Sequence, residues 1–219
     1  MTVMKKVWDP AVRFFHWSQL LLLAGLWYTG TEGLMEWHQL LAYTLAAVLL
    51  ARICWGFYGS QTARFSQFAA SPRTAIGYLQ RPQPVMGHNP ASSYMIFALL
   101  LLVLLQFISG LMTTDHIFTD GPLVRYVSSE TVSLATRWHK LGIDILLVAV
   151  VVHIIAAIWH SWRHHNVIMG MLHGKLPTAK DVNVPEPKTG WSFFVLVVLF
   201  WLAFYWWQGA DLIRMLSYQ

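Results

Sequence analysis

Five stretches of mostly apolar residues, each approaching the length needed to cross a bilayer, decide what this chain can fold into. They run over about 14–28, 36–58, 92–113, 137–162 and 191–207. A hydrocarbon core demands about 17–25 such residues per helix. Composition agrees with that reading. Of the 219 residues 56% are hydrophobic and only 11% charged, less than half the usual charged share. Many of the 12 tryptophans sit at the ends of apolar runs, as in an aromatic belt at the membrane–water boundary. The sequence predicts an all-α integral membrane protein in one domain over 1–219: a four-helix transmembrane bundle plus a fifth, C-terminal transmembrane helix.

Local signals place the ends of these helices. Asp9-Pro10 reads as a helix start, with Asp at the N-cap and Pro at the first helical position. Gly30 and Gly33 mark the turn into the second span. The polar connector 59–89 is long enough for a surface-lying amphipathic piece over about 72–79. A second connector, 114–136, carries Asp115, Asp120 and Glu130, and a Lys- and Pro-bearing segment precedes the fifth span. Lys5 and Lys6 precede an apolar stretch as in a signal peptide. No small-residue cleavage site follows, and the stretch reads as an uncleaved first helix.

Charge sets the orientation. With the N-terminus inside, 11 Lys and Arg fall on inner segments and 4 (Arg125, Arg137, Lys140, Arg214) on outer ones. The positive-inside rule then predicts a cytoplasmic N-terminus and an extracytoplasmic C-terminus. The net charge of +5 is spread over alternate loops with no basic stripe, which argues against nucleic acid. Cys54 is the single cysteine, so neither an intramolecular disulfide nor a thioether-linked haem can form.

Four histidines fit this topology. His139 and His153 lie 14 residues apart on the fourth span. That spacing returns to within about 40° of one face and separates them by about 21 Å along the axis. His16 begins the first span from the inside, and His38 begins the second from the outside. The depth-matched pairs are His16 with His153 and His38 with His139. Ionisable groups in spans are rare and usually functional. Two such pairs point to two irons, each between two imidazoles, in two non-covalently held haems. An iron so held has no open position and suits one-electron transfer.

Other residues carry weaker signals. Arg13, one turn from His16, and Arg52 and Arg137 near helix ends are candidates to meet haem propionates, against simple snorkelling to lipid headgroups. His160 lies seven residues beyond His153 on nearly the same face, where a proton-accepting role at a quinone pocket competes with no role at all. His164, His165 and His173 read as solvated, His116 as surface, and His88 as a loop or capping residue. Asp144 is a candidate ion-pair partner of Lys140 one turn away.

The stretch Val7-Trp8-Asp9-Pro10-x-x-Arg13-x-x-His16-Trp17 resembles the opening motif of the bacterial cytochrome b561 and nickel–iron hydrogenase b-type cytochrome family. Arg52-x-x-Trp55-Gly56-Phe57-x-Gly59, Ala63-Arg64-Phe65, Gly87-His88-Asn89-Pro90 and His139-x13-His153 are similar to further stretches of it. The resemblance covers about 7–175. It implies a bacterial inner-membrane protein with two b haems per chain on His16, His38, His139 and His153. It also implies electron exchange between membrane quinone (ubiquinone or menaquinone) and a partner at the outer face. That partner would be a periplasmic c-type cytochrome or a hydrogenase or dehydrogenase subunit. Relatives with quinone near the inner part of the fourth helix put His160 forward. Two other classes compete: a superoxide:quinone oxidoreductase acting without a protein partner, and a haem-free transporter or assembly scaffold.

Overall fold

A computed structural model describes residues 2–81, 87–117, 119–163, 166–180 and 184–217. The expectations for His164 and His165 lie outside them. The elements are β1 (Thr2–Lys6), α1 (Pro10–Thr31), α2 (Met35–Tyr58), α3 (Phe65–Phe68), α4 (Pro72–Gln80), α5 (Pro90–Gly110), α6 (Ser129–Arg163), α7 (Val167–His173), β2 (Lys175–Ala179), α8 (Trp191–Phe204) and α9 (Ala210–Leu216). Four helical stretches are long and apolar enough to cross a membrane: α2, α5, α6 and the run from Trp191 to Leu216. α1 has 22 residues but is not among those four.

Helix starts follow the capping chemistry of the sequence. The Asp9 carboxylate accepts from the Val12 amide at 2.7 Å, and Pro10 supplies a first turn that needs no donor. Asn89 and Pro90 do the same for α5, with Asn89 Oδ1 accepting from Ser92 N at 2.7 Å. Ser71 and Pro72 start α4, the amphipathic piece expected in the first connector.

Several boundaries differ from expectation. α6 begins at Ser129, not near residue 137, because the Ser128 hydroxyl caps it by accepting from Thr131 N. Apolarity marks where lipid would be, whereas polar residues after a good cap continue the helix beyond it. The last span does not stop near residue 207. A π-turn over Tyr205–Gly209 carries it into α9. α5 ends at Gly110 rather than 113. The antiparallel β1–β2 pair, joining the N-terminus to the segment after α7, was not expected. Lys140 and Asp144 form no ion pair; among the described residues the ion pair is Arg214–Asp211.

α2 is the centre of the molecule. It packs along α1 on one side and α8 on the other, while α5 and α6 form a second closely packed pair that meets α2 through α5. The C-terminal helix covers α2 away from the histidines. There Trp201 Nε1 donates to Thr44 Oγ1 at 3.3 Å, and Tyr43 stacks on Phe204. Between the two layers Leu45, Leu49, Val103 and Leu146 form a buried cluster. Leu146 is midway between His139 and His153, so this apolar layer separates two levels of the bundle.

A second cluster closes the end where α1 begins, here called the basal end. Val7, Trp8, Ala11, Val12, Ala51, Trp55 and Phe193 are its core. Trp55 Nε1 donates to Asp9 Oδ2 at 3.0 Å, and the Val7 and Trp8 amides donate to Gly174 O. Gly174 adopts φ +76° to end α7, a conformation that glycine reaches without strain.

Candidate functional site

The fold brings the four histidines together in the two expected pairs. At the basal end the His16 and His153 ring centroids are 6.1 Å apart with planes at 56°. At the opposite, distal end His38 and His139 are 6.3 Å apart with planes at 84°. Two imidazoles bound in line to one metal, with bonds of about 2.0–2.1 Å and ring radii of about 1.1 Å, place their centroids about 6.3 Å apart. Both separations match that figure. Among the described residues no group of three or more His, Cys, Asp or Glu side chains gathers as a metal site. A metal between either pair would need its other ligands from a non-protein group, which a porphyrin supplies.

The distal pair has a matched support on each side. His38 Nδ1 donates to the Leu26 carbonyl at 3.0 Å, with Thr29 Oγ1 at 3.4 Å. His139 Nδ1 donates to the Gln106 carbonyl at 3.0 Å, with Ser109 Oγ at 3.3 Å. A carbonyl only accepts, so Nδ1 must carry the proton in both rings. Each Nε2 is left with a free lone pair, the state a metal ligand needs. Gln106 also fixes the backbone of the ligand helix, its Nε2 donating to His139 O at 2.8 Å.

The two supports share a local pattern: a carbonyl three residues before a hydroxyl residue, which is followed by glycine. It reads Leu26-x-x-Thr29-Gly30 on α1 and Gln106-x-x-Ser109-Gly110 on α5. The glycines are where the rings lie. A Cβ at Gly110 would stand 2.9 Å from His139 Cε1, and one at Gly30 would stand 3.2 Å from His38 Cε1. Sequence reasoning missed the role of these six residues, reading Gly30 only as part of a turn, although the repeated hydroxyl–glycine step near two helix ends was a visible signal. The expected result is that Gly110→Ala lowers haem content at the distal level more than Gly30→Ala. A haem-to-protein ratio on purified variants checks the order, and equal loss from both would contradict it.

The basal pair is supported differently. His16 packs edge-on against Trp17, and its Nδ1 is buried with no acceptor. Arg13 turns toward α7, where Nη1 donates to Leu172 O at 2.9 Å, at the negative end of that helix. Arg52 is only 2% exposed and lies 5.8 Å from the Phe15 ring centroid and 5.3 Å from that of Phe65. Its Nη2 donates to Ala63 O at 3.3 Å, while Nη1 has no partner. Both arginines keep a buried donor without a partner, Nε on Arg13 and Nη1 on Arg52, and the one on Arg52 is at the outer end of the guanidinium, where a carboxylate can be met. Arg137 and Lys140 are exposed on α6 around His139, His116 and His173 are exposed, and His160 is half-buried in the last turn of α6.

The motif segments that are far apart in sequence meet at this basal end. Asp9 holds Trp55, and Gly56 leaves room for the Phe65 ring, which a Cβ there would strike. His88 sits between Trp8 and Phe68. The prokaryotic cytochrome b561 family matches residues 7–174, the part of the chain that contains all four histidines and this cluster. A probable Ni/Fe-hydrogenase B-type cytochrome subunit from Cupriavidus necator is similar at 24% identity over 215 residues, covering 80% of this chain and 87% of that one. No solved structure gives a significant match. On a match of that extent, the chain belongs to the prokaryotic cytochrome b561 family, whose b-type cytochromes imply haem b.

Proposed function

We propose that this chain is a dihaem membrane cytochrome that relays electrons between the quinone pool and an extracytoplasmic redox partner. The observation that carries the reading is the pair of facing imidazoles at each of two levels, with centroid separations of 6.1 and 6.3 Å. His38 and His139 would hold one haem, and His16 and His153 the other. The haems supply one-electron chemistry at irons without an open position. The protein supplies position and surroundings: it keeps Nδ1 protonated on His38 and His139, and offers buried cationic donors beside His16. The apolar layer around Leu146 keeps water and ions from following the electron.

Five spans in a bacterial inner membrane complete this proposal, α1 among them because it brings His16 to His153. Lys and Arg distribution supports a cytoplasmic basal end and a periplasmic distal end. Quinone binding is then assigned to the cytoplasmic end of α6, with His160 as proton acceptor. The relative from Cupriavidus necator favours a hydrogenase-type subunit as partner, with a c-type cytochrome as the other member of that class. A pyridine haemochrome measurement with protein quantitation tests the core of the reading. Two protohaems per chain is the expected result, and a colourless preparation overturns it.

A second reading rests on Arg137 and Lys140, both exposed around His139, which would attract a small anion. It is a superoxide:quinone oxidoreductase working without a protein partner. Purified protein would then reduce quinone with superoxide, and failure of that assay leaves the relay.

A further inference from the structure

Besides His16 Nδ1 and the Nε atoms of Arg13 and Arg64, two buried nitrogens without a partner at the basal end belong to residues from different parts of the chain. One is Arg52 Nη1 on α2, the other His88 Nε2 in the turn before α5. The His88 ring is clamped between Trp8, at 4.5 Å between centroids, and Phe68, at 4.7 Å. Phe65 covers the Arg52 guanidinium, and Gly56 is what lets Phe65 in. Asp9 is the carboxylate whose charge acts on Arg52. Its two oxygens are already taken, one by Val12 N and one by Trp55 Nε1.

A buried donor without an acceptor costs about 1–3 kcal/mol, more when it is charged. Arg52 and His88 are close enough for the cation to act on the imidazole, and in the tautomer with the proton on Nε2 the two residues offer donors to one acceptor that the protein does not provide. The His88 ring is enclosed by Trp8 and Phe68 with the Arg52 cation acting on it, an arrangement that suits a neutral imidazole with no second positive charge. A cation plus a neutral donor in an aromatic enclosure suits a carboxylate. The porphyrin assigned to His16 and His153 carries such groups on one edge.

We infer that Arg52 Nη1 and His88 Nε2 together hold a carboxylate of the basal porphyrin, which makes His88 a cofactor-binding residue and not merely part of the turn before α5. This rests on the dihaem reading. Asn89, next in sequence, does the capping of α5, so His88 is not needed for that purpose. The inference also gives a reason for the contacts of Trp8 with His88 and of Phe65 with Arg52 and Gly56: they surround the two donors.

The test uses the full-length chain in detergent, stripped of haem and reconstituted with protohaem or with its dimethyl ester. His88→Phe fills the space between Trp8 and Phe68 but removes the donor; His88→Gln keeps a donor. Basal haem affinity is expected to fall about tenfold to a hundredfold in His88→Phe and to recover mostly in His88→Gln. The ester should weaken wild type by a similar factor and His88→Phe by little further. Undiminished protohaem binding by His88→Phe overturns the inference while leaving two haems in place. So do ester and variant losses that simply multiply. Wild-type protein that takes up no porphyrin brings down the dihaem reading itself, and this inference with it.

Discussion

Replacing His139 by alanine is expected to halve the haem content, from two protohaems per chain to one, and to leave the basal level occupied. The reason is the division of labour along α6. Among the described residues His139 faces His38 and His153 faces His16, and the buried Leu45, Leu49, Val103 and Leu146 cluster separates the levels. Even support residues around a metal ligand change affinity about 10–100-fold, so removal of the ligand itself should exceed that range. His153→Ala should remove the other haem with equal selectivity. Pyridine haemochrome stoichiometry on each variant and on the double variant gives the measurement. Loss of both haems from either single change would mean that the two levels are not independent.

Asp9→Ala is expected to have the largest effect on stability of any single change at the basal end. Asp9 is fully buried and serves three groups at once. It caps α1 through Val12 N, accepts from Trp55 Nε1, and is the counter-charge of buried Arg52. Losing the cap costs about 1 kcal/mol, and leaving the buried Trp55 donor unsatisfied costs about 1–3 kcal/mol more, before the loss of the negative charge that acts on Arg52. Trp55→Phe is the control. It removes one hydrogen bond and keeps the cap and the counter-charge, for a loss of about 1–2 kcal/mol. Thermal unfolding in detergent should rank wild type above Trp55→Phe and Trp55→Phe above Asp9→Ala. A melting temperature for Asp9→Ala at or above that of Trp55→Phe would show that Arg52 finds its compensation elsewhere.

The histidine pairing was legible because it depends on two regularities. Helical periodicity puts His139 and His153 on one face, and alternate crossings bring His16 and His38 to matching depths. The depths matched are those of His16 with His153 and of His38 with His139, and both regularities follow from sequence positions alone. The carbonyls of Leu26 and Gln106 were not legible, since any residue offers a backbone acceptor and nothing in a side chain advertises its use. The role of the turn before α5 was hidden for a different reason. His88 there looks like an ordinary loop histidine until Trp8 and Phe68, 80 and 20 residues away in sequence, close around it. The start of α6 at Ser129 was missed because hydropathy reports the solvent of a segment, not whether its backbone is helical.

By itself the sequence determined the class of structure, the helix start at Asp9, and which imidazoles share a depth. Those are consequences of burial pattern and local capping, which short stretches of chain carry within themselves. Only the tertiary structure decided which ring nitrogens of His38 and His139 are protonated, which arginine donors stay unused, and that the motif residues meet at the end where His16 lies. Such features require atoms from α1, α2 and the connectors to meet within a few ångströms, and packing of distant segments is what brings them there.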